Sequence, residues 1–94
     1  MIVILPEAMA EAREARLWYA ARSPAAAADF MADLDRALVK IDEGPDRWPS
    51  YDHGTRRFLL HRFPFSVVYR VRGGHVLIVA VAHAKRNPGY WRRR

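Results

Sequence analysis

Apolar and polar positions follow two rhythms along this chain, a helical one in the first half and a strand-like one in the second. Ile2–Leu5 is a short β-branched apolar run and predicts a strand. Pro6 then suits the first turn of a helix, where its missing N–H is no loss. From Glu7 to about Arg22 the chain is rich in Ala, Glu, Arg and Leu, all good helix formers. The buried face of this helix is mostly alanine, with Leu17 and Trp18 as large apolar groups near its end. Ser23-Pro24 predicts a break, with Ser23 as N-cap and Pro24 as first helical residue. Phe30, Leu34, Leu38 and Ile41 then form one helical stripe, and Asp29, Asp33, Arg36 and Lys40 fall largely on the other faces. Gly44-Pro45 ends this second helix.

The rhythm changes after a loop over residues 45–55, marked by Pro45, Pro49, Asp52 and Gly54 and anchored by Trp48 and Tyr51. Thr55–Phe63 predicts a strand, and Pro64 a turn. Phe65, Val67, Tyr69 and Val71 alternate with Ser66, Val68, Arg70 and Arg72, the pattern of a half-buried strand with arginine on its wet face. Gly73-Gly74 is a hairpin signal, and His75–Ala82 is nearly continuous in apolar residues, as in a strand covered on both faces. Residues 84–94 form a basic tail. The expected architecture is a single α+β domain over residues 1–94. It has an N-terminal strand, an antiparallel helical hairpin, and a mainly antiparallel sheet completed by three C-terminal strands, with the hairpin packed on one face.

Composition narrows the chemistry. The chain has no cysteine, so disulfides and thiolate metal sites are excluded. The run Ile2–Leu5 is too short for a signal peptide or a membrane span, which leads us to expect a cytoplasmic protein without a membrane partner. Charge is placed unevenly. Residues 1–45 carry five basic against eight acidic side chains, a balance of −3, and residues 46–94 carry eleven against two, a balance of +9, which together make the net +6. Fourteen of the sixteen cations are arginine, which favours bidentate contacts to phosphate or carboxylate. An acidic partner or target is therefore expected.

No glycine-rich phosphate loop or serine nucleophile motif is present, and the basic half has no close pair of carboxylates. The histidines at 53, 61, 75 and 83 lack helical ligand spacing, so neither a metal nor a cofactor is expected. His61 and His83 each lie near a strand end beside arginine, where an imidazole can serve as general base or as a structural hydrogen-bonding group. Arg56, Arg57, Arg62, Arg70 and Arg72 lie on two consecutive expected strands. If those strands pair, the even-numbered members form one basic face, suited to phosphates or to an acidic protein. In the tail, Trp91 is expected to fold back onto the core with the arginines outside, and Tyr90 is left open between core packing and base stacking.

The stretch Arg57–Val71, with its Phe-Pro-Phe-x-Val-Val-Tyr core, and the stretch Val79–Trp91, with Val-Ala-His-x-x-Arg-x-Pro-x-Tyr-Trp, closely resemble the RelE/ParE superfamily of bacterial type II toxins. Trp18-Tyr19, Phe30, Leu34 and the Pro45 region resemble that family's helical hairpin, so the likeness spans nearly the whole chain. The resemblance implies a growth-arresting toxin neutralised by a cognate antitoxin in a hetero-oligomeric complex. It also implies an extended antitoxin segment that orders on binding, and the +9 half and the sheet it must cover lead us to expect that its C-terminal segment is acidic and studded with apolar residues.

Two activities divide the superfamily. ParE-like members inhibit DNA gyrase without hydrolysis, and RelE-like members cut messenger RNA on the ribosome with a Lys/Arg cluster and a C-terminal Tyr or His. Carried over residue by residue, the ribonuclease pattern places Arg57, Arg86 and Tyr90 at matching positions but finds Leu59 and Ser66 where cations belong. Arg62, His61 and His83 are the residues from which a compensating cluster would be built. The nuclease reading thus rests on Arg57, Arg62, His83, Arg86 and Tyr90 as catalytic candidates, and each missing stabiliser costs such chemistry about 10²–10³ in rate. The expectation is a ParE-like toxin acting on gyrase. The alternatives are a ribosome-dependent mRNA endonuclease and an inactive antitoxin-binding homologue.

Overall fold

The computed structural model describes all 94 residues. Its elements are β1 (Ile2–Ile4), α1 (Pro6–Ala20), α2 (Pro24–Glu43), β2 (Ser50–Tyr51), β3 (Thr55–Leu59), β4 (Phe65–Arg72) and β5 (His75–His83), with short 3-10 turns at Pro45–Arg47 and Asp52–Gly54. The five strands form one sheet in the order β1-β5-β4-β3-β2, parallel only between β1 and β5.

Local chemistry sets the helix ends. Pro6 and Pro24 both open helices, and the Ser23 hydroxyl accepts the Ala26 N–H at 3.3 Å. Gly44 stops α2, where its N–H still reaches the Lys40 carbonyl. Gly73 and Gly74 take φ of 54° and 79°, the left-handed pair that a tight β4–β5 hairpin requires.

The sheet is covered on both faces, which is why β5 reads as a continuous apolar run. On one face the helical hairpin packs Ala8, Ala15, Phe30, Leu34, Ala37 and Ile41 against Val67, Tyr69, Val76, Ile78 and Val81. Tyr19, Phe30, Phe63 and Phe65 form an aromatic cluster at its end, with centroids 4.9–6.4 Å apart. On the other face the C-terminal tail lays Trp91, 1% exposed, over Val68, Val79, Ala80 and Ala82, as expected for this tryptophan. Tyr51 of β2 stacks on Trp91 at 5.4 Å, and Trp48 meets Phe58 at 4.5 Å, so both loop aromatics anchor as expected.

Several expectations need correction. β3 stops at Leu59 rather than Phe63, because residues 60–64 form a wider turn. That turn is held by Leu60 N–H on the Phe65 carbonyl and by Arg62 N–H on the Asp33 carboxylate at 3.1 Å. Asp33 is therefore buried, at 4% exposure, rather than on a wet face of α2. Leu17 and Trp18 remain half exposed, and Tyr19 is the α1 aromatic that reaches the core. The wet face expected for β4 is dry over Ser66 and Val68, because the tail covers it.

The single basic face of even-numbered arginines also fails. The register sets Arg56 opposite Tyr69 and Arg57 opposite Val68, so even residues of β3 sit beside odd residues of β4. Arg56 consequently lies on the helix side, donating to the Trp48 carbonyl at 2.6 Å, and Arg57 shares the opposite face with Arg70.

Candidate functional site

The tail and α1 meet where the sheet loses its edge. β1 ends at Ile4, and the Leu5 N–H on the Ile78 carbonyl is the last bond of its ladder with β5. Opposite β4, Val68 pairs with Ala80 and Tyr69 with Ile78, which leaves Val79 as an extra residue, a β-bulge. The bulge changes which backbone groups face the open edge, and Val79 C=O and Val81 N–H now point there. Backbone polar groups removed from water need partners.

Glu11 supplies them. Its carboxylate accepts the Val81 N–H at 3.0 Å, the Tyr90 hydroxyl at 2.7 Å, Arg94 at 2.8 Å and Arg86 at 3.3 Å. Arg94 also donates to the Val79 carbonyl at 3.1 Å, so one acid and one base side chain stand in for the missing strand. The Glu11 side chain is only 12% exposed, and two guanidiniums balance its charge. Arg86 lies 3.6 Å over the Tyr90 ring, a cation–π contact. Burial, the bond to Glu11 and that carboxylate's charge push the Tyr90 hydroxyl well above the ordinary tyrosine value of 10.0, against a smaller opposing effect of Arg86 and Arg94. Tyr90 therefore stays protonated and donating at neutral pH.

Beside this cluster a cavity of about 420 Å³ opens between α1 and the ends of β4 and β5, with Trp18, Tyr19, Phe65, His83 and Arg86 among its walls. The His83 ring meets Phe65 edge-on at 5.0 Å. Its Nδ1 accepts the Lys85 N–H at 3.0 Å, so the neutral ring carries its proton on Nε2.

The five candidates of the nuclease reading are thus distributed. Arg86 and Tyr90 meet on Glu11, and His83 shares the cavity wall with Arg86. Arg57 sits on the far face of the sheet, its guanidinium 4.2 Å over Tyr51. Arg62 is on the β3–β4 turn, more than half exposed, 3.8 Å from Asp29. Leu59 and Ser66 face each other across β3 and β4 and carry no charge into that stretch of sheet. No three His, Asp or Glu side chains are grouped to hold a metal. Glu11, the hub, was not among the candidates. Its signal is positional, since it falls with Ala8, Ala12 and Ala15 on the small-residue stripe by which α1 packs.

A family model described as the ParE toxin of the type II toxin-antitoxin system, parDE, matches residues 2–88. This chain belongs to the ParE toxin family. No individually curated protein is similar enough in sequence to match. Among solved structures, a chromosomal ParDE toxin-antitoxin system from P. aeruginosa contains a chain of the same fold, with a TM-score of 0.79 at 22% identity over 89% of this chain and 95% of that one. In this ParE-family chain the match runs from β1 through the bulged β5 to Pro88. It stops before Tyr90, Trp91 and Arg94, so it leaves out two of the four partners that close the Glu11 cluster. No helix of the chain is long and apolar enough to cross a membrane.

Proposed function

We propose that this chain is the growth-inhibiting toxin of a type II toxin-antitoxin module, that it acts on DNA gyrase as a docking protein rather than as a nuclease, and that a cognate antitoxin neutralises it in a hetero-oligomeric complex in the cytoplasm. The observation that carries this reading is the commitment of Arg86 and Tyr90 to the chain's own Glu11. A transesterifying nuclease needs a base, an acid and cations converging on one phosphate. Here a carboxylate occupies the place where that phosphate would meet Arg86 and Tyr90, and a phosphate would have to displace it. Arg57 and His83 add to the argument by lying on opposite faces of the sheet. Family membership supports the toxin and antitoxin parts of the reading.

The test uses purified toxin with and without antitoxin in two assays. Gyrase supercoiling is expected to be lost and cleaved DNA to accumulate, with antitoxin restoring activity. Codon-phased cuts in mRNA on translating ribosomes, with gyrase untouched, would overturn the reading. Arg86→Ala and Tyr90→Phe would then be tested as catalytic substitutions. A toxin silent in both assays that still binds antitoxin would leave the inactive homologue.

A further inference from the structure

The chain's ion pairs fall on one side of the molecule. Arg36 pairs with Asp33, Arg62 with Asp29, and Arg86 and Arg94 with Glu11, all on the helix side or at its margin. The other side differs. Strand alternation puts Arg57, Arg70 and Arg72 on the face away from the helices, and Arg92 and Arg93 lie on the tail that crosses that face. Arg57, Arg72, Arg92 and Arg93 have no carboxylate partner, whereas Arg70 meets a C-terminal oxygen of Arg94 at 3.3 Å, and Asp52 is the only acidic side chain from Arg47 to Arg94.

Three of the five are nevertheless held in place. The Arg57 guanidinium rests 4.2 Å over Tyr51, which is itself stacked on buried Trp91. Arg70 donates to the His53 carbonyl and to a C-terminal carboxylate oxygen of Arg94, which answers its charge, and Arg92 donates to the Gly89 carbonyl. Rings and carbonyls orient a guanidinium without cancelling its charge. The result is a face with four unneutralised guanidiniums, two of them (Arg57 and Arg92) pre-positioned, an arrangement suited to phosphate oxygens.

We propose that this arginine face docks on the phosphate backbone of duplex DNA, so that the toxin contacts DNA directly and without sequence preference. The proposal is independent of which enzyme the toxin targets. Two observations select the duplex. A protein interface centres on an apolar, charge-depleted patch. Here the apolar side chains Val68, Val79 and Trp91 are already covered, and the large exposed ones on this face, Val3 and Leu59, lie at opposite margins of the sheet. Single strands are gripped by aromatic side chains free to stack on bases. Tyr51 is sandwiched between Arg57 and Trp91, and the Tyr90 hydroxyl is tied to Glu11. What remains offered is charge alone, which serves a regular array of phosphates.

The test is fluorescence anisotropy of a labelled mixed-sequence duplex of about 20 base pairs with the full chain. Binding should weaken by about 10²–10³ between about 50 and 200 mM salt, with a log–log slope near −4, as for about four neutralised phosphates. Combining Arg57→Gln, Arg72→Gln and Arg93→Gln should flatten the slope by about 3, and Arg13→Gln on the helix side should leave it unchanged. Equal denaturation midpoints establish that the variants are folded. Three outcomes overturn the proposal: no binding at the lowest salt, a slope indifferent to the arginine substitutions, or tighter binding of single-stranded RNA. Displacement by polyglutamate at equal charge would also overturn it and assign the face to an acidic protein.

Discussion

The carboxylate of Glu11 accepts the hydroxyl of Tyr90 at 2.7 Å across 79 positions of chain. This contact joins the middle of α1 to the tail, and the tail in turn closes the second face of the sheet. A helix residue thereby ties down the neighbour of Trp91, which fills the second core layer.

Glu11→Ala strands the Val81 N–H and the Arg94 guanidinium in a largely dry site. Removing one partner from such a network costs about 3 kcal/mol or more. In a domain of this size each kcal/mol moves Tm by about 4–8 °C, so thermal unfolding should fall by more than about 10 °C. Glu11→Gln keeps an acceptor for Val81 and should fall in between. A Glu11→Ala protein that melts with the parent would show that water replaces the carboxylate without loss.

Tyr90 carries a pH signature. Its pKa in the folded chain is raised above 10.0, first by burial and then by Glu11. The unfolded chain therefore loses this proton first as pH rises. Its contribution is fully present below about pH 10 and disappears above it, with a slope of up to about 1.4 kcal/mol per pH unit from this group. Burial also raises Tyr19 and Tyr69, which add in the same direction. Urea denaturation from pH 9 upward should show stability falling, and Tyr90→Phe should reduce the fall by about one group's share. An unaltered slope in that variant would remove Tyr90 from the account.

Trp91→Ala empties the centre of the second core layer and should cost about 3–5 kcal/mol, a large part of the margin of a small domain. Trp91→Phe should cost much less, because the indole Nε1–H is buried without an acceptor and its loss removes an unmet donor. Amide exchange should show residues 84–94 unprotected in the alanine variant and protected in the phenylalanine one.

Asp33→Ala removes the acceptor for the Arg62 N–H and the partner of Arg36. The expected loss is about 1–3 kcal/mol, with the β3–β4 turn loosened first. Asp33→Asn retains an acceptor oxygen and should recover part of it. Urea midpoints for the two variants check both statements.

Legible along the chain were every element except the short β2, which lies in a stretch that reads as a loop, both helix starts at Pro6 and Pro24, the α2 stripe, the Gly73-Gly74 hairpin, the charge asymmetry and the family resemblance. The helix starts, the stripe and the hairpin are local signals, written in caps, periods and turn residues within a few positions of one another, whereas the charge asymmetry and the resemblance need only the linear sequence and no contact. Tertiary structure alone decided which way the charges point. β3 and β4 pair odd with even, and the Val79 bulge shifts β5 by one residue, so a single step of register sets which face Arg56, Arg57 and His83 occupy. It also decided that Asp33 would be buried and Glu11 partly so, because their partners Arg62 and Val81 are 29 and 70 positions away and come within reach only when the sheet closes.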